Sequence, residues 1–351
     1  MNPIPVLAVD AGATNCRAVL CNEQGEVLGY AHGGACNYQS VGIDSVRETL
    51  TSVLSSLVSK DSSLCVQCAV FGLAGLDTEN DRVVLEQVVQ QALESSKIQA
   101  DRVLLDNDGM MTLLGAVGHG PGVLVVSGTG SIACGVRDDK LARAGGWGHR
   151  VGDEGSGYSI GKAAVIHVLH AYDGREKSSQ ITKPILAELS LKNEEDLIAW
   201  IYGPEFSVDR VAALTPLLCE LAENGDWKAI SILQKASEEL AKAAMAVINR
   251  LSLQQEPFDL VLMGGVLSQN STIREQVIRI IKKECPNVQI ISPKYEPVCG
   301  GVLRGLMELG ISDTKVLERL AKEISVSTVK MKEDGAVVQH RSFITSYWYP
   351  D

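Results

Sequence analysis

Long hydrophobic runs are missing from this chain. No segment of its 351 residues approaches the roughly 18 apolar positions that a membrane span needs. The N-terminal MNPIPVLAVDAG has no basic region, and its apolar run is too short for a signal peptide, so the expected location is the cytoplasm. Positive charge is also in deficit: 32 Lys and Arg face 43 Asp and Glu, a net charge of −11 that argues against a broad nucleic-acid-binding surface. The nine cysteines (16, 21, 36, 65, 68, 134, 219, 285 and 299) are odd in number and scattered through apolar runs, as reduced thiols are and a disulfide framework is not. Cys65 and Cys68 form a lone Cys-x-x-Cys with no second ligand pair, which argues against zinc. Two phosphate-binding signatures are absent. Without GxxxxGK[ST] there is no P-loop, and the lack of GxGxxG after the first strand argues against a Rossmann dinucleotide site.

What remains is an ordinary soluble composition, 45% apolar and 21% charged, in a chain long enough for two domains with separate cores. Its order repeats. IPVLAV, CRAVLCN and EVLGYAH read as three tightly joined antiparallel strands, and Val46, Leu50, Val53, Leu54 and Leu57 give helical spacing over 42–59. The strand CAVFGLAGL, a helix over roughly 80–95, the strand VLLDND and a short helix to about 117 follow. GVLVVSGTGSIACGV at 122–136 then restarts the pattern as strand, glycine turn and strand. About five helices over 153–253, the strand FDLVLMGG, a helix, the strand VQIIS and a Gly-containing helix complete it. The expectation is an α/β fold of two similar domains flanking a central cleft, with domains at 1–117 and 118–310 and a tail at 311–351.

Three strands lead into small-residue turns. They are VLAVDAGATNCR (Asp10, Gly12, Thr14, Arg17), LVVSGTGSIACG (Ser127, Gly128, Thr129, Gly130, Ser131) and LVLMGGVLSQN (Gly264, Gly265). Glycines and hydroxyls in such turns offer backbone N–H groups and side-chain donors to phosphate oxygens. An acid at a strand end suits Mg²⁺, which keeps several of its waters. A fourth stretch, GGWGHRVGDEGSGYSIG from Gly145 to Gly161, carries seven glycines in 17 residues around a Trp, a His and an Asp-Glu pair. Glycine bears the largest backbone entropy cost, so this composition serves a chain that bends sharply and lets another object approach.

These stretches resemble, in order, the phosphate-1 loop, the phosphate-2 loop and the adenosine motif of the actin-like ATPase and sugar-kinase superfamily, with its ribonuclease H-like fold. SGTGS followed by GGWGHxxGDEGS is similar to N-acetylglucosamine kinases and the related BadF/BadG-type ATPases, over about residues 6–308. The resemblance implies an ATP- and Mg²⁺-dependent kinase acting on the 6-hydroxyl of N-acetyl-D-glucosamine, and a homodimer. It places Asp10 near Mg²⁺. It assigns Gly12, Thr14, Gly128, Thr129, Gly130, Ala212, Gly264 and Gly265 to the nucleotide, and Asn37, Gly146, Trp147, Gly148 and Asp153 to the sugar. Asp108 would contact and deprotonate the hydroxyl, the proton-accepting role that phosphoryl transfer requires.

Alternatives remain at several positions. Asp106 rivals Asp108 two residues earlier, and both acids also suit capping of the following helix. Trp147 is either a core anchor or a sugar-stacking face. His149 reads as a hydrogen-bonding strut, Glu154 as a sugar ligand or helix cap, and His167 and His170 as structural. Gln39 stands where the resembling kinases carry an aromatic residue, which bears on the grip on the sugar's substituent. The cysteine-rich zinc motif of the repressor-and-kinase branch is absent. Cys134 and Cys299 are the nearest counterparts to the iron–sulfur cysteines of BadF/BadG activators, but both lie in apolar segments. Kinases of glucosamine or N-acetylmuramic acid, a non-catalytic sugar sensor and an activator ATPase are the competing functions.

Overall fold

A computed structural model describes residues 3–59, 62–138, 140–311 and 315–324. Among these the strands form two five-stranded sheets with the same topology. The first contains β1 (Ile4–Ala11), β2 (Cys16–Cys21), β3 (Val27–Gly33), β4 (Leu64–Leu73) and β5 (Ile98–Asn107), in the order β3-β2-β1-β4-β5. β1, β2 and β3 pair antiparallel through tight turns, whereas β4 and β5 add parallel after helical crossovers. The second contains β6 (Gly122–Ser127), β7 (Ser131–Arg137), β8 (Lys140–Gly145), β9 (Phe258–Met263) and β10 (Val288–Ile291). Its order, β10-β9-β6-β7-β8, repeats the first sheet strand for strand, with the same antiparallel and parallel partners. The expected duplication is thus present, without sequence identity to announce it.

The continuous apolar run of β1 follows from cover on both faces. The helix Pro297–Glu308 packs on β1 and β4, while the helix Ile43–Ser55 closes over β2 and β3. Leu7, Val9, Leu50, Phe71 and Leu85 centre that core. Around the second sheet, Val123, Val125, Ile160, Leu240, Ala244 and Val247 form another, with the helix Trp227–Arg250 laid across β6, β7 and β8.

The chain divides into two compact units, Met1–His119 with Pro293–Asp351, and Gly120–Ser292. This corrects the expected second domain of 118–310. From Pro293 the chain returns to the first unit, because the glycine-containing face of Pro297–Glu308 packs on β1 and on the helix Asp108–Val117. Residues 315–324 are helical and also belong there, with the Val27 N–H donating to Glu323 at 2.7 Å. The remainder of the expected tail, 312–314 and 325–351, lies outside the described residues. Between 153 and 253 six helices stand rather than five, since Val208–Ala212 is a separate five-residue helix. The strand β8 was also not anticipated.

Candidate functional site

In the first unit, β1 delivers Asp10 to the mouth of a turn closed by the Gly12 N–H donating to the Asn15 carbonyl at 2.9 Å. Thr14 is exposed on that turn. Arg17 lies opposite Asp10 in the β1–β2 register and pairs with Glu296 at 3.1 Å. β5 ends at Asn107, whose side chain caps the next helix by accepting from the Gly109 N–H at 2.9 Å. Asp108 is therefore the first residue of a helix, and its Oδ1 also accepts from Gly109 at 3.0 Å. A helix N-terminus favours a carboxylate. A Cβ built on Gly12 would sit 4.0 Å from Asp108 Oδ2, so the turn and the acid adjoin.

Asp106 has a different fate. Still on the strand, it lies 3.6 Å from the Arg304 guanidinium, and neither it nor Asp108 is the helix cap. Burial, then the nearby Asp108 carboxylate, pushes the Asp10 carboxyl up to about 7, against the opposing pull of Arg17. A divalent cation there would favour the ionised form. Among the described residues no cluster of three or more His, Cys, Asp or Glu could hold a metal alone. A lone carboxylate of this kind fits Mg²⁺ as one ligand among phosphate oxygens and waters.

Asn37 caps the short helix Tyr38–Val41 by accepting from the Gln39 N–H at 3.0 Å. Tyr38 is hydrogen-bonded to Asp81 through its hydroxyl, and Gln39 is exposed.

In the second unit, hydroxyls join the β6–β7 turn to the glycine-rich stretch. Ser127 donates to the Gly155 carbonyl and Ser131 to the Glu154 carbonyl, both at 2.8 Å. Asp153, only 8% exposed and with φ 60°, accepts from the backbone N–H groups of Ser131 and Gly148, while burial raises its carboxyl. A Cβ on Gly130 would lie 2.9 Å from Asp153 Oδ2, so any larger residue there would displace that carboxylate. Ser156, not Glu154, caps the helix Gly157–Tyr172. His149 meets Tyr158 edge to face, with ring centroids 5.3 Å apart. Trp147 is 61% exposed, which rules out the core anchor.

A cavity of about 650 Å³ opens beside the β6–β7 turn. Gly128, Thr129, Ala212 and Gly265 line it together, whereas Gly130 faces Asp153, and Gly264 packs against the Ser127 backbone. Sequence reasoning missed Asp209, Glu220, Glu223 and Gln269, which also line it. Thr129 donates to Asp209 at 3.2 Å. These four residues sit on short helices whose polar faces read as ordinary solvated surface, so no local signal marks them.

Other expectations resolve simply. His167 bonds Glu176 at 2.7 Å and Ser179 at 3.0 Å, a structural network that His170 joins. Cys65 and Cys68 are three residues apart on β4 and so face opposite sides. Among the described residues none of the nine cysteines forms a disulfide, and Cys134 and Cys299 are 2% and 1% exposed, too buried to hold a cluster shared with another subunit. No helix of the described residues is long and apolar enough to cross a membrane.

Residues 7–305 match the sequence model of the BadF/BadG/BcrA/BcrD ATPase family. The chain belongs to that family. It is 30% identical to an N-acetylmuramic acid/N-acetylglucosamine kinase of Clostridium acetobutylicum, over 85% of this chain and 97% of the relative. It is 31% identical to an N-acetyl-D-glucosamine kinase of Dictyostelium discoideum, over 86% and 97%. A solved structure from Chromobacterium violaceum, assigned provisionally as an N-acetylglucosamine kinase, superposes with a TM-score of 0.64 at 28% identity, covering 86% of this chain and 98% of that one. Within the BadF/BadG/BcrA/BcrD family the two repeated sheets thus account for the fold, actin-like and α/β, as the opening motifs implied.

Proposed function

We propose that this family member is an ATP-dependent amino-sugar kinase that transfers a phosphoryl group to the 6-hydroxyl of N-acetyl-D-glucosamine. The observation that carries the reading is Asp108, a carboxylate at a helix N-terminus adjoining the Gly12 turn and Asp10. Phosphoryl transfer is mostly positioning and charge stabilisation, with an acid accepting the hydroxyl proton. In the first unit Asp108 takes that proton, Asn37 contributes its amide to the sugar, and Gly12 and Thr14 meet phosphate oxygens. In the second unit Gly128, Thr129 and Gly130 offer further donors, the cavity lined by Ala212 and Gly265 takes the nucleoside with Gly264 supporting it, and Gly146, Trp147, Gly148 and Asp153 form the sugar loop. Mg²⁺ at Asp10 would neutralise charge on the phosphates. A cytoplasmic homodimer completes the proposal, and sedimentation equilibrium checks its dimeric part.

A sugar panel with ATP tests the substrate. N-acetyl-D-glucosamine is expected to give the highest kcat/KM; good turnover of glucosamine with poor turnover of N-acetylglucosamine would sink the assignment. N-acetylmuramic acid is the second reading to include, because one relative is named for both sugars. Gln39, exposed where the resembling kinases carry an aromatic residue, bears on that choice of substituent.

A further inference from the structure

The strand β8 runs directly into the glycine-rich loop, and Arg143 lies two residues before its end. Its Nε donates to the Gly145 carbonyl at 3.2 Å, and its Nη2 donates to the Gly146 carbonyl. The same guanidinium stacks over the Trp147 ring, 5.0 Å from the centroid. One side chain therefore touches three consecutive loop residues. Arg143 is itself anchored, since its backbone carbonyl accepts from Arg250 Nη1 at 2.7 Å, on the helix Trp227–Arg250.

The loop needs such a hold. Gly145, Gly146 and Gly148 take φ of 73°, 69° and 84°, and glycines are the residues least able to keep one conformation unaided. Packing supplies only part of that hold: Gly145 pairs with Ile132 in the β7–β8 register, and Gly146 lies against the Ile132 side chain. Beside them is a cavity of about 260 Å³, lined by Gly145 and Trp147 from the loop and by Glu239, Leu240 and Ala243 from the long helix. A planar guanidinium is suited to the task, because its fork donates in two directions while its face stacks on an indole.

We propose that Arg143 is a positioning residue that fixes Gly145–Gly148 in the geometry that receives the sugar, with Trp147 serving as the plate against which the guanidinium is held. The proposal rests on the reading of this loop as part of the sugar site. It also assigns Trp147 a role, one in which a face of its ring holds the Arg143 guanidinium.

Arg143→Ala and Arg143→Lys in the full chain test this, read by the KM for the sugar, the KM for ATP and amide hydrogen exchange over residues 145–153. Arg143→Ala is expected to raise the sugar KM between about tenfold and a hundredfold, leave the ATP KM within about twofold, and speed exchange in the loop. Arg143→Lys keeps the charge but loses the fork, so it recovers only part of the sugar affinity. If Arg143→Ala does not fold, the lysine variant carries the same comparison. Trp147→Ala should add little in the Arg143→Ala background, since the two side chains act as one unit. An equal rise in both KM values, or unchanged loop exchange in Arg143→Ala, overturns the proposal. If the wild-type protein phosphorylates no amino sugar, the functional reading fails, while the exchange comparison still decides whether the clamp exists.

Discussion

Asp10 illustrates how one residue's environment anticipates a ligand. It lies one residue before the end of a strand buried on both faces and adjoins Asp108, so its carboxyl is raised from 3.8 to about 7 by burial and then by that second acid. Between those pH values the folded chain keeps a proton that the unfolded chain has released. The contribution to stability is therefore fully present below the unfolded value and is lost as pH rises through the folded one. Asp10→Asn removes the titration. Without ligands, the variant should melt above the wild type at about pH 8 and close to it at about pH 4, while turnover with Mg²⁺ and ATP falls. Thermal melts across that range check it, and a variant that melts no higher at the alkaline end would refute the assignment. The same residue-scale logic separates Asp106 from Asp108. Two acids two positions apart look equivalent in LLDND, yet the strand ends between them, one meets Arg304 and the other opens a helix.

At the scale of elements, the position of Asp108 depends on a helix crossing. The helix Pro297–Glu308 approaches Asp108–Val117 so closely that a Cβ on Gly300 would lie 2.1 Å from the Met111 carbonyl oxygen and 2.5 Å from the Gly115 nitrogen. Gly300→Ala forces the helices apart, which should cost about 1–3 kcal/mol and move the acid at the helix start. The expected outcome is a lower melting temperature together with a lower kcat, with nucleotide affinity kept; an unchanged kcat in a destabilised variant would show that the crossing does not set the acid's place. This crossing also explains what the sequence could and could not reveal. Every strand but β8 was readable because period and turn chemistry are local, and the loops after β1 and β6 were readable because glycines and hydroxyls cluster there. β8 escaped notice because KLARAG, with its outward Lys140 and Leu141, carries no apolar alternation. The helix Val208–Ala212 is too short to build a periodic signal. The return of the chain at Pro293 was illegible for a deeper reason: which sheet a helix covers is a tertiary choice, and the small-residue face of VCGGVLRG would suit either one.

Across the whole molecule, the duplicated sheet divides the work. The proposed proton acceptor and the Asp10 carboxyl belong to the first unit, whereas the cavity of about 650 Å³ proposed for the nucleoside is lined by the second unit alone. Binding the nucleotide and accepting the hydroxyl proton should therefore be separable by mutation. Asp108→Ala is expected to cut sugar-dependent turnover on the order of 10²–10⁴-fold, the usual worth of a positioned base. A non-hydrolysable ATP analogue should still bind within about twofold of the wild type and raise the melting temperature as it does there. The two measurements together discriminate among the functions. Lost turnover with kept nucleotide binding supports the kinase; loss of both would make Asp108 a support for the fold instead. ATP hydrolysis that persists unchanged in the variant and never responds to sugar would point to an activator ATPase, in which the same two sheets bind nucleotide but the acid at the helix start has no hydroxyl to serve.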